Sequence, residues 1–172
     1  MRRGASYGRI PAYFFVNVMK PYYHLFSRGD VILFRTNEDY VYFNNKFAIL
    51  SYEYDVNPIA VTIMSTHFHA LLQPVSEVAV REFMAQLKRR YSFYYSKKYG
   101  HSLDKIFECK YVVVNTKDEA LAELDYIIRN PMHHYVNVFP TMYQFGVASY
   151  LFLDNLLPAE FCKVLHDRCV KA

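Results

Sequence analysis

The order of the predicted elements indicates an α+β fold of the ferredoxin-like type, with a βαββαβ core. The chain has 172 residues, which suits one compact domain, and 53% of them are hydrophobic, enough for a sizeable core. Short β-branched runs alternate with helical periodicity in the order strand, helix, strand, strand, helix, strand, helix. We therefore expect an antiparallel sheet with helices packed mainly on one face, followed by a C-terminal helix.

The first predicted elements are a strand, a helix and a pair of strands. Residues 13–26 are aromatic and β-branched and predict one or two strands, broken near Pro21, with a turn at residues 28–30. Thr36 or Asn37 can cap a helix with aromatic residues at helical spacing, which Asn57-Pro58 should end. The next two runs predict two central strands joined by a tight turn, or one bulged strand. These runs are residues 59–64 and 68–72.

A long helix and a further strand follow. Ser76 can cap the helix, which should reach Tyr99 and be closed by Gly100. Residues 111–114 are β-branched and predict the strand. The predicted buried stripe of the helix comprises Val80, Phe83, Met84, Leu87, Tyr91 and Tyr94.

The last part of the chain predicts two helices. Thr116 and Glu119 form a capping box that opens a helix reaching about Arg129, which Pro131 should end. Another helix should begin near Pro158. In terms of domains, we expect a flexible basic arm, one catalytic domain and a C-terminal helix packed on that domain. Their bounds are residues 1–11, 12–157 and 158–172.

Charge and cysteine content restrict the class of protein. The net charge of +4 is compatible with nucleic acid but not diagnostic. The three cysteines show no CxxC spacing, which argues against a cysteine zinc site and favours a reducing compartment. No apolar run approaches the roughly 20 residues of a membrane span, and no signal peptide is evident. We expect a cytoplasmic protein with no membrane partner.

The sequence His67-Phe68-His69 is the sharpest chemical feature. On a strand, alternate side chains share a face, so both imidazoles project together while Phe68 faces the core. Two neutral imidazoles can share a divalent cation. Two histidines at a strand end can equally hydrogen-bond to backbone, and both interpretations stay open on this motif alone.

The helix after the capping box carries an apolar stripe and, on another face, polar side chains. Leu121, Leu124 and Ile128 form one apolar stripe at 3.6 residues per turn. Tyr126 and Asn130 lie one turn apart on a roughly opposite face. The helix can therefore pack by its stripe and present a phenol and an amide together. Composition does not single out Tyr126, because the chain has 17 tyrosines.

Basic and aromatic side chains are mixed along the long helix. This combination suits a single nucleic-acid strand, since phosphates meet charge and bases stack. A solvated helix face beside a packed aromatic face explains the same pattern. The residues are Lys88, Arg89, Arg90, Lys97 and Lys98, among Tyr91, Phe93, Tyr94 and Tyr95.

Several segments, taken in order, resemble the HUH single-tyrosine transposases, and most closely their REP-associated tyrosine transposase branch. The resemblance covers roughly residues 20–150 and includes the histidine–hydrophobe–histidine element and the Y-I-x-x-N-P segment. The matching segments are residues 23–29, 32–35, 38–39, 43, 64–72, 107–111, 126–131 and 149–150.

The resemblance implies a DNA transposase that cleaves and rejoins single-stranded or hairpin DNA. It also implies a bacterial protein that is associated with the nucleoid when it acts. His67 and His69 would be metal ligands, Asn130 would be the third ligand, and Tyr126 would be the nucleophile that forms a 5′-phosphotyrosine. The metal would be Mg²⁺ or Mn²⁺, with no other cofactor. The candidate nucleic-acid contacts are Arg28, Lys88, Arg89, Lys110 and Arg129.

Two departures from the family pattern concern the neighbours of these residues. Ser65-Thr66 stands where the family often has Pro-Asn, and residues 132–135 stand where it often has Val-Arg-Ala-Gly. His133 and His134, within the second segment, are either auxiliary ligands or plain loop histidines.

The family also includes dimers in which the tyrosine serves the partner's metal site. A homodimer with Tyr126 acting in trans is therefore a hypothesis for this chain. It places Tyr126 far from His67 and His69 within one chain.

Two other functions remain open. A non-catalytic, ferredoxin-like nucleic-acid-binding protein would stack bases on an open sheet face. It would not require His67, His69 and Asn130 to converge. A metal-dependent hydrolase would use water as its nucleophile and would not require Tyr126. A zinc deaminase is excluded because its HxE and PCxxC elements are absent.

Overall fold

A four-stranded antiparallel sheet and three α-helices form the part of the chain that the computed structural model describes, residues 20–28, 31–103, 107–134 and 139–146. The strand order is β2-β3-β1-β4, which is the ferredoxin-like order, and the predicted fold class is confirmed. The elements are β1 (Tyr22–Arg28), α1 (Asn37–Glu53), β2 (Val56–Ile63), β3 (Phe68–Pro74), α2 (Glu77–Tyr99), β4 (Glu108–Val114), α3 (Lys117–His133) and a 3₁₀ turn (Pro140–Met142).

Several predicted features lie outside the described residues. They are the basic arm, residues 13–19 of the first predicted strand, the turn residues 29–30, residues 149–150 and the C-terminal helix. Within the described part, no helix has the length and hydrophobicity needed to cross a bilayer.

The helices lie on both faces of the sheet. The ring of Phe68 on β3 is 4.9 Å from that of Phe43 on α1, and Tyr91 on α2 is 5.3 Å from Phe43. The ring of His69, the next residue of β3, is 5.2 Å from that of Tyr126 on α3. Because successive strand residues point to opposite faces, α1 and α2 share one face as predicted, and α3 covers part of the other.

The face beneath α1 and α2 is packed mainly with aromatic rings. Truncating one such buried ring typically costs about 3–5 kcal/mol, because a cavity is left behind. Phe68 anchors β3 in this packing. The largest fully buried side chains include Phe34, Phe43, Phe47, Phe68, Phe83, Tyr91, Tyr95 and Phe107.

The predicted caps of α2 and α3 are confirmed. The hydroxyl of Ser76 accepts a hydrogen bond from the amide of Ala79 at 3.1 Å, and Gly100 closes α2 with a φ of 69°. Thr116 and Glu119 form the capping box at the start of α3. These caps are local interactions, which explains why spacing alone located them.

Two prolines are predicted to end helices, and both predictions are wrong. α1 ends at Glu53, and Pro58 lies inside β2. β2 is an edge strand rather than a central one, and its register shifts between Pro58 and Ala60, so the missing N–H is tolerated there. Pro131 lies inside α3, where its missing N–H costs one hydrogen bond in the last turns.

A buried carboxylate ties the start of α1 to the end of α2. The Asp39 carboxylate accepts hydrogen bonds from Lys98 Nζ and Tyr99 Oη, both at 2.7 Å, and from the backbone amides of Arg35 and Thr36. Burial by itself would raise the pKa of this carboxyl. The hydrogen bonds outweigh burial and lower the pKa to about 2. The charged form is therefore stabilised by folding.

Asp39→Asn should lower the free energy of unfolding by about 3 kcal/mol at neutral pH, because the charge-assisted bonds are lost. The wild-type contribution is fully present above the ordinary carboxyl pKa and disappears as pH falls from about 4 to about 2, whereas the variant lacks this dependence. Urea unfolding across acidic pH measures both effects. Glu38→Gln is the matched control, since Glu38 also pairs with Lys98 but is exposed, and it should cost less than about 1 kcal/mol.

Candidate active site

A cavity of about 740 Å³ lies between α3 and the sheet face that it covers. Its walls combine imidazoles, a phenol, a carboxylate and a guanidinium, so groups able to bind a cation and phosphate meet there. The lining residues include His24, Phe26, Arg28, Thr66, His67, His69, Glu123, Tyr126 and His134.

The two histidines of the HxH motif face this cavity together. His67 directly precedes β3, His69 belongs to β3, and their ring centroids are 5.2 Å apart. The Nδ1 atom of His67 is 2.9 Å from the hydroxyl of Thr66, and that of His69 is 2.9 Å from Nε2 of His24. Each imidazole therefore uses Nδ1 in the protein and keeps Nε2 for another partner.

Asn130 reaches the same place from α3. Its side chain is fully buried, and Oδ1 is 3.2 Å from Nε2 of His67. Two neighbouring ligands of an octahedral cation, each about 2.1 Å from it, lie about 3.0 Å apart, so the two atoms suit adjacent coordination positions. The amide nitrogen of Asn130 is buried without a hydrogen-bond partner among the described residues.

The donors fit a divalent cation only as a mixed set. Among the described residues, no group of three or more histidine, cysteine, aspartate or glutamate side chains could hold a metal ion. Two imidazoles plus the amide oxygen of Asn130 leave several positions of an octahedral ion open, as Mg²⁺ and Mn²⁺ sites that bind phosphate require.

Burial keeps the imidazoles uncharged. The pKa of His69 is lowered to about 3, mainly by burial and further by the neighbouring His24, His67 and His134. Burial also lowers the pKa of His67, and it lowers that of His24 despite the opposing effect of Glu123. Neutral imidazoles are the form that coordinates metal ions.

Tyr126 stands at the edge of the cavity with its side chain 39% exposed. Its ring is 5.2 Å from that of His69 and 6.0 Å from that of His24, and the ring of His133 stacks on it at 5.6 Å. The phenol is thus accessible rather than buried in hydrocarbon. The hypothesis of action in trans places Tyr126 far from these histidines, and the structure instead places it beside His69 and His24 of its own chain.

The rotation of α3 differs from the prediction. Leu124 and Ile128 of the predicted apolar stripe are partly buried against the core, but Leu121 is 53% exposed. The fully buried side chains of this helix include Ile127 and Asn130. The facing sheet surface carries histidines, so α3 turns polar side chains toward it: Glu123 meets His24, and Asn130 meets His67.

Two residues in the site were not predicted, His24 and Glu123. Nδ1 of His24 is 2.7 Å from the Glu123 carboxylate. The sequence places His24 in a predicted strand. Which residues lie beside His24 depends on how the strands pair, and the sequence pattern does not give that register. His133 and His134 are not loop residues, since they form the last residue and the C-cap of α3. The ring of His134 lies 4.5 Å from that of His67.

The predicted nucleic-acid contacts lie in three places. Arg28 lines the cavity, and Lys110 on β4 pairs in register with Phe26, another lining residue. Arg129 projects from α3 and pairs with Asp125. The structure does not bring the other two, Lys88 and Arg89, to the site, because α2 lies on the opposite face of the sheet.

A family model described as "Transposase IS200 like" matches residues 32–130, more than half of the chain. The matched segment contains His67, His69, Tyr126 and Asn130. No curated protein matches the chain significantly.

Solved structures are similar to this chain at low sequence identity. A REP-associated tyrosine transposase bound to a REP hairpin has a TM-score of 0.59 at 13% identity, covering 91% of this chain and 90% of that chain. A putative transposase from Deinococcus radiodurans R1 has 0.45 at 17%, covering 76% and 97%. The tRNA(His) guanylyltransferase from Saccharomyces cerevisiae has 0.46 at 12%, covering 87% and 78%. At an identity of 13%, the match with the TM-score of 0.59 shows a shared fold and no more.

Asn130→Ala should change the free energy of unfolding by less than about 1 kcal/mol, because it removes one hydrogen bond together with a buried amide nitrogen that lacks a partner among the described residues. Ile127→Ala, on the same helix and equally buried, should cost about 2–5 kcal/mol. Thermal and urea unfolding compare the two variants. A loss of several kcal/mol in Asn130→Ala would make Asn130 a structural residue.

Proposed function

The chain belongs to the IS200-like transposase family, and from that premise we propose that it cleaves and rejoins single-stranded DNA with Tyr126 as the nucleophile. One observation carries the proposal: the Tyr126 ring lies 5.2 Å from that of His69, beside the His67–Asn130 pair of the same chain. This juxtaposition places a phenol next to a candidate cation site, which is the arrangement that phosphodiester transesterification requires.

The proposed ligands are Nε2 of His67, Nε2 of His69 and Oδ1 of Asn130. Hydrogen bonds occupy Nδ1 of both histidines, and Nε2 of His67 lies 3.2 Å from Oδ1 of Asn130, the neighbouring proposed ligand. Bound Mg²⁺ or Mn²⁺ would neutralise charge on a non-bridging phosphate oxygen and orient the phosphorus. Imidazole ligands suit Mn²⁺ particularly well.

The proposed reaction exchanges one phosphodiester for another. The Tyr126 oxygen attacks phosphorus, the bond from phosphorus to the 3′ oxygen breaks, and a 5′-phosphotyrosine forms. The phenolic proton passes to solvent, and the departing 3′ oxygen takes up a proton. A second 3′-hydroxyl then attacks the phosphotyrosine, which restores the phenol and reseals the DNA. Because bonds of similar energy are exchanged, no external energy source is needed.

The helix that carries Tyr126 supports its proposed role. Its neighbour Ile127 is fully buried, which anchors this turn of α3 against the sheet. The phenol itself remains at an open edge of the cavity, where a DNA strand can reach it. A rigid backbone and an accessible hydroxyl together favour in-line attack, since little ordering is needed before reaction.

We propose hairpin or single-stranded DNA as the substrate. Family membership supports a DNA substrate, and the transposase of known structure with the same fold is bound to a REP hairpin. Arg28 and Lys110 are positioned to contact phosphates at the cavity. Membership in the REP-associated branch is part of this proposal. The four proposed catalytic residues come from one chain, so the chemistry does not require a second copy, and the homodimer stays a prediction.

The placement of α3 disfavours a purely stacking nucleic-acid binder. Such a protein uses an open sheet face for bases. Here α3 covers part of the face that carries His24 and His69.

Tyr126→Phe should abolish the covalent protein–DNA adduct and reduce cleavage of a labelled hairpin with a single-stranded flank to background, because the attacking oxygen is missing. Denaturing gel electrophoresis with Mn²⁺ measures both products. Tyr52→Phe is the control, since Tyr52 is 79% exposed on α1, across the sheet, and should retain full activity. Cleavage by Tyr126→Phe at the wild-type rate would instead favour a hydrolase with a water nucleophile.

His69→Ala should weaken Mn²⁺ binding by at least about 100-fold, because a ligand nitrogen is removed. Isothermal titration of the DNA-free protein provides the measurement. His101→Ala removes an exposed imidazole beyond the end of α2 and should leave the affinity unchanged. Equal Mn²⁺ affinity in wild type and His69→Ala would contradict the proposed metal site.

A further inference from the structure

Three side chains from three elements form a row of hydrogen bonds behind the candidate metal site. The Glu123 carboxylate on α3 is 2.7 Å from Nδ1 of His24 on β1. Nε2 of His24 is 2.9 Å from Nδ1 of His69 on β3. Both imidazoles are more than nine-tenths buried. The row, called here the Glu123–His24–His69 chain, ends at a nitrogen that faces the cavity.

The direction of the protons along this chain follows from its first member. An ionised carboxylate only accepts hydrogen bonds, so Nδ1 of His24 must carry the hydrogen. In a neutral imidazole the other nitrogen then holds a lone pair, so Nε2 of His24 accepts. The hydrogen between the two rings therefore belongs to Nδ1 of His69. The lone pair of His69 is left on Nε2, toward the cavity.

We propose that Glu123 and His24 are positioning residues that hold His69 in the Nδ1–H tautomer and so present its Nε2 lone pair to a divalent cation. The inference deepens the proposed function, because it rests on His69 as a metal ligand. Groups that hydrogen-bond to the far nitrogen of a ligating histidine fix its tautomer and ring orientation.

His67, the other histidine of the motif, contacts a hydroxyl group at Nδ1, whereas the hydrogen bonds of His69 lead back to a carboxylate. Nδ1 of His67 meets the hydroxyl of Thr66, and a hydroxyl can either donate or accept. The Thr66 contact by itself leaves the tautomer of His67 undetermined. The 3.2 Å contact of its Nε2 with the Asn130 amide oxygen, an acceptor, favours a hydrogen on Nε2 in the metal-free protein, whereas the Glu123–His24–His69 chain places the hydrogen of His69 on Nδ1. Because Glu123 precedes Tyr126 by less than one turn of α3, the helix that carries the nucleophile also sets a ligand.

The test compares wild type, Glu123→Leu, Glu123→Gln and the matched control Asp125→Leu. Asp125 is an exposed carboxylate two residues along α3, so its replacement removes a similar charge without touching His24. Nitrogen-15 NMR of the metal-free protein identifies the His69 tautomer, and isothermal titration gives the Mn²⁺ affinity. Circular dichroism verifies that each variant is folded.

We expect the Nδ1–H tautomer at His69 in wild type and in Asp125→Leu, with equal Mn²⁺ affinities. Glu123→Leu should yield a mixture of tautomers and about 10–100-fold weaker Mn²⁺ binding. Glu123→Gln retains an acceptor oxygen and should restore the tautomer and most of the affinity.

An Nε2–H tautomer in wild type, or an unchanged tautomer and affinity in Glu123→Leu, would overturn the inference. If Glu123→Leu failed to fold, loss of the tautomer preference in folded His24→Phe would support it, and retention would overturn it. Absence of Mn²⁺ binding in wild type would overturn the metal role in the proposed function, and the tautomers of the metal-free proteins would still decide on the hydrogen-bond chain.

Discussion

The packing of Phe68 against α1 determines where the chemistry of this protein takes place. Phe68 is fully buried on β3, with its ring 4.9 Å from that of Phe43. Because neighbouring strand residues face opposite ways, the burial of one ring turns His67 and His69 to the other side of the sheet. A slip of one residue in this strand would bury both imidazoles in hydrocarbon and expose the phenylalanine. The aromatic core therefore determines on which face of the sheet the candidate metal ligands lie.

The second sheet face is polar at its centre, and this governs the docking of α3. A helix that met this face with leucines would leave buried imidazoles without partners. α3 presents Glu123 and Asn130 to the imidazoles, with Ile127 fully buried between them, while Leu124 and Ile128 are partly buried against the core. The buried side of this helix therefore combines apolar packing with a candidate ligand, while Tyr126 stays accessible at the edge. The same turns of α3 therefore carry both packing residues and candidate site residues.

The two faces of the sheet carry different kinds of side chain. The α1–α2 face carries the aromatic core and the Asp39 cluster, which has its polar groups fully paired. The opposite face carries the imidazoles of His24 and His69, and the amide of Asn130 on α3 meets His67 there. The fold and family both agree with a site that handles DNA phosphates.

The sequence by itself determined the elements, their order and much of the candidate site. Caps such as Ser76, Gly100 and the Thr116–Glu119 box depend on residues within one turn, and the HxH alternation needs only a strand. The predictions that prolines end helices were wrong. Pro58 is tolerated in β2 because β2 is an edge strand, and that position is a property of the whole sheet.

Only the tertiary structure decided the rotation of α3, the position of Tyr126 beside His69 and the partnership of His24 with Glu123. These depend on strand register and on which helix face meets the sheet. Both are settled by burial summed over many residues, and no local spacing in the chain encodes that sum.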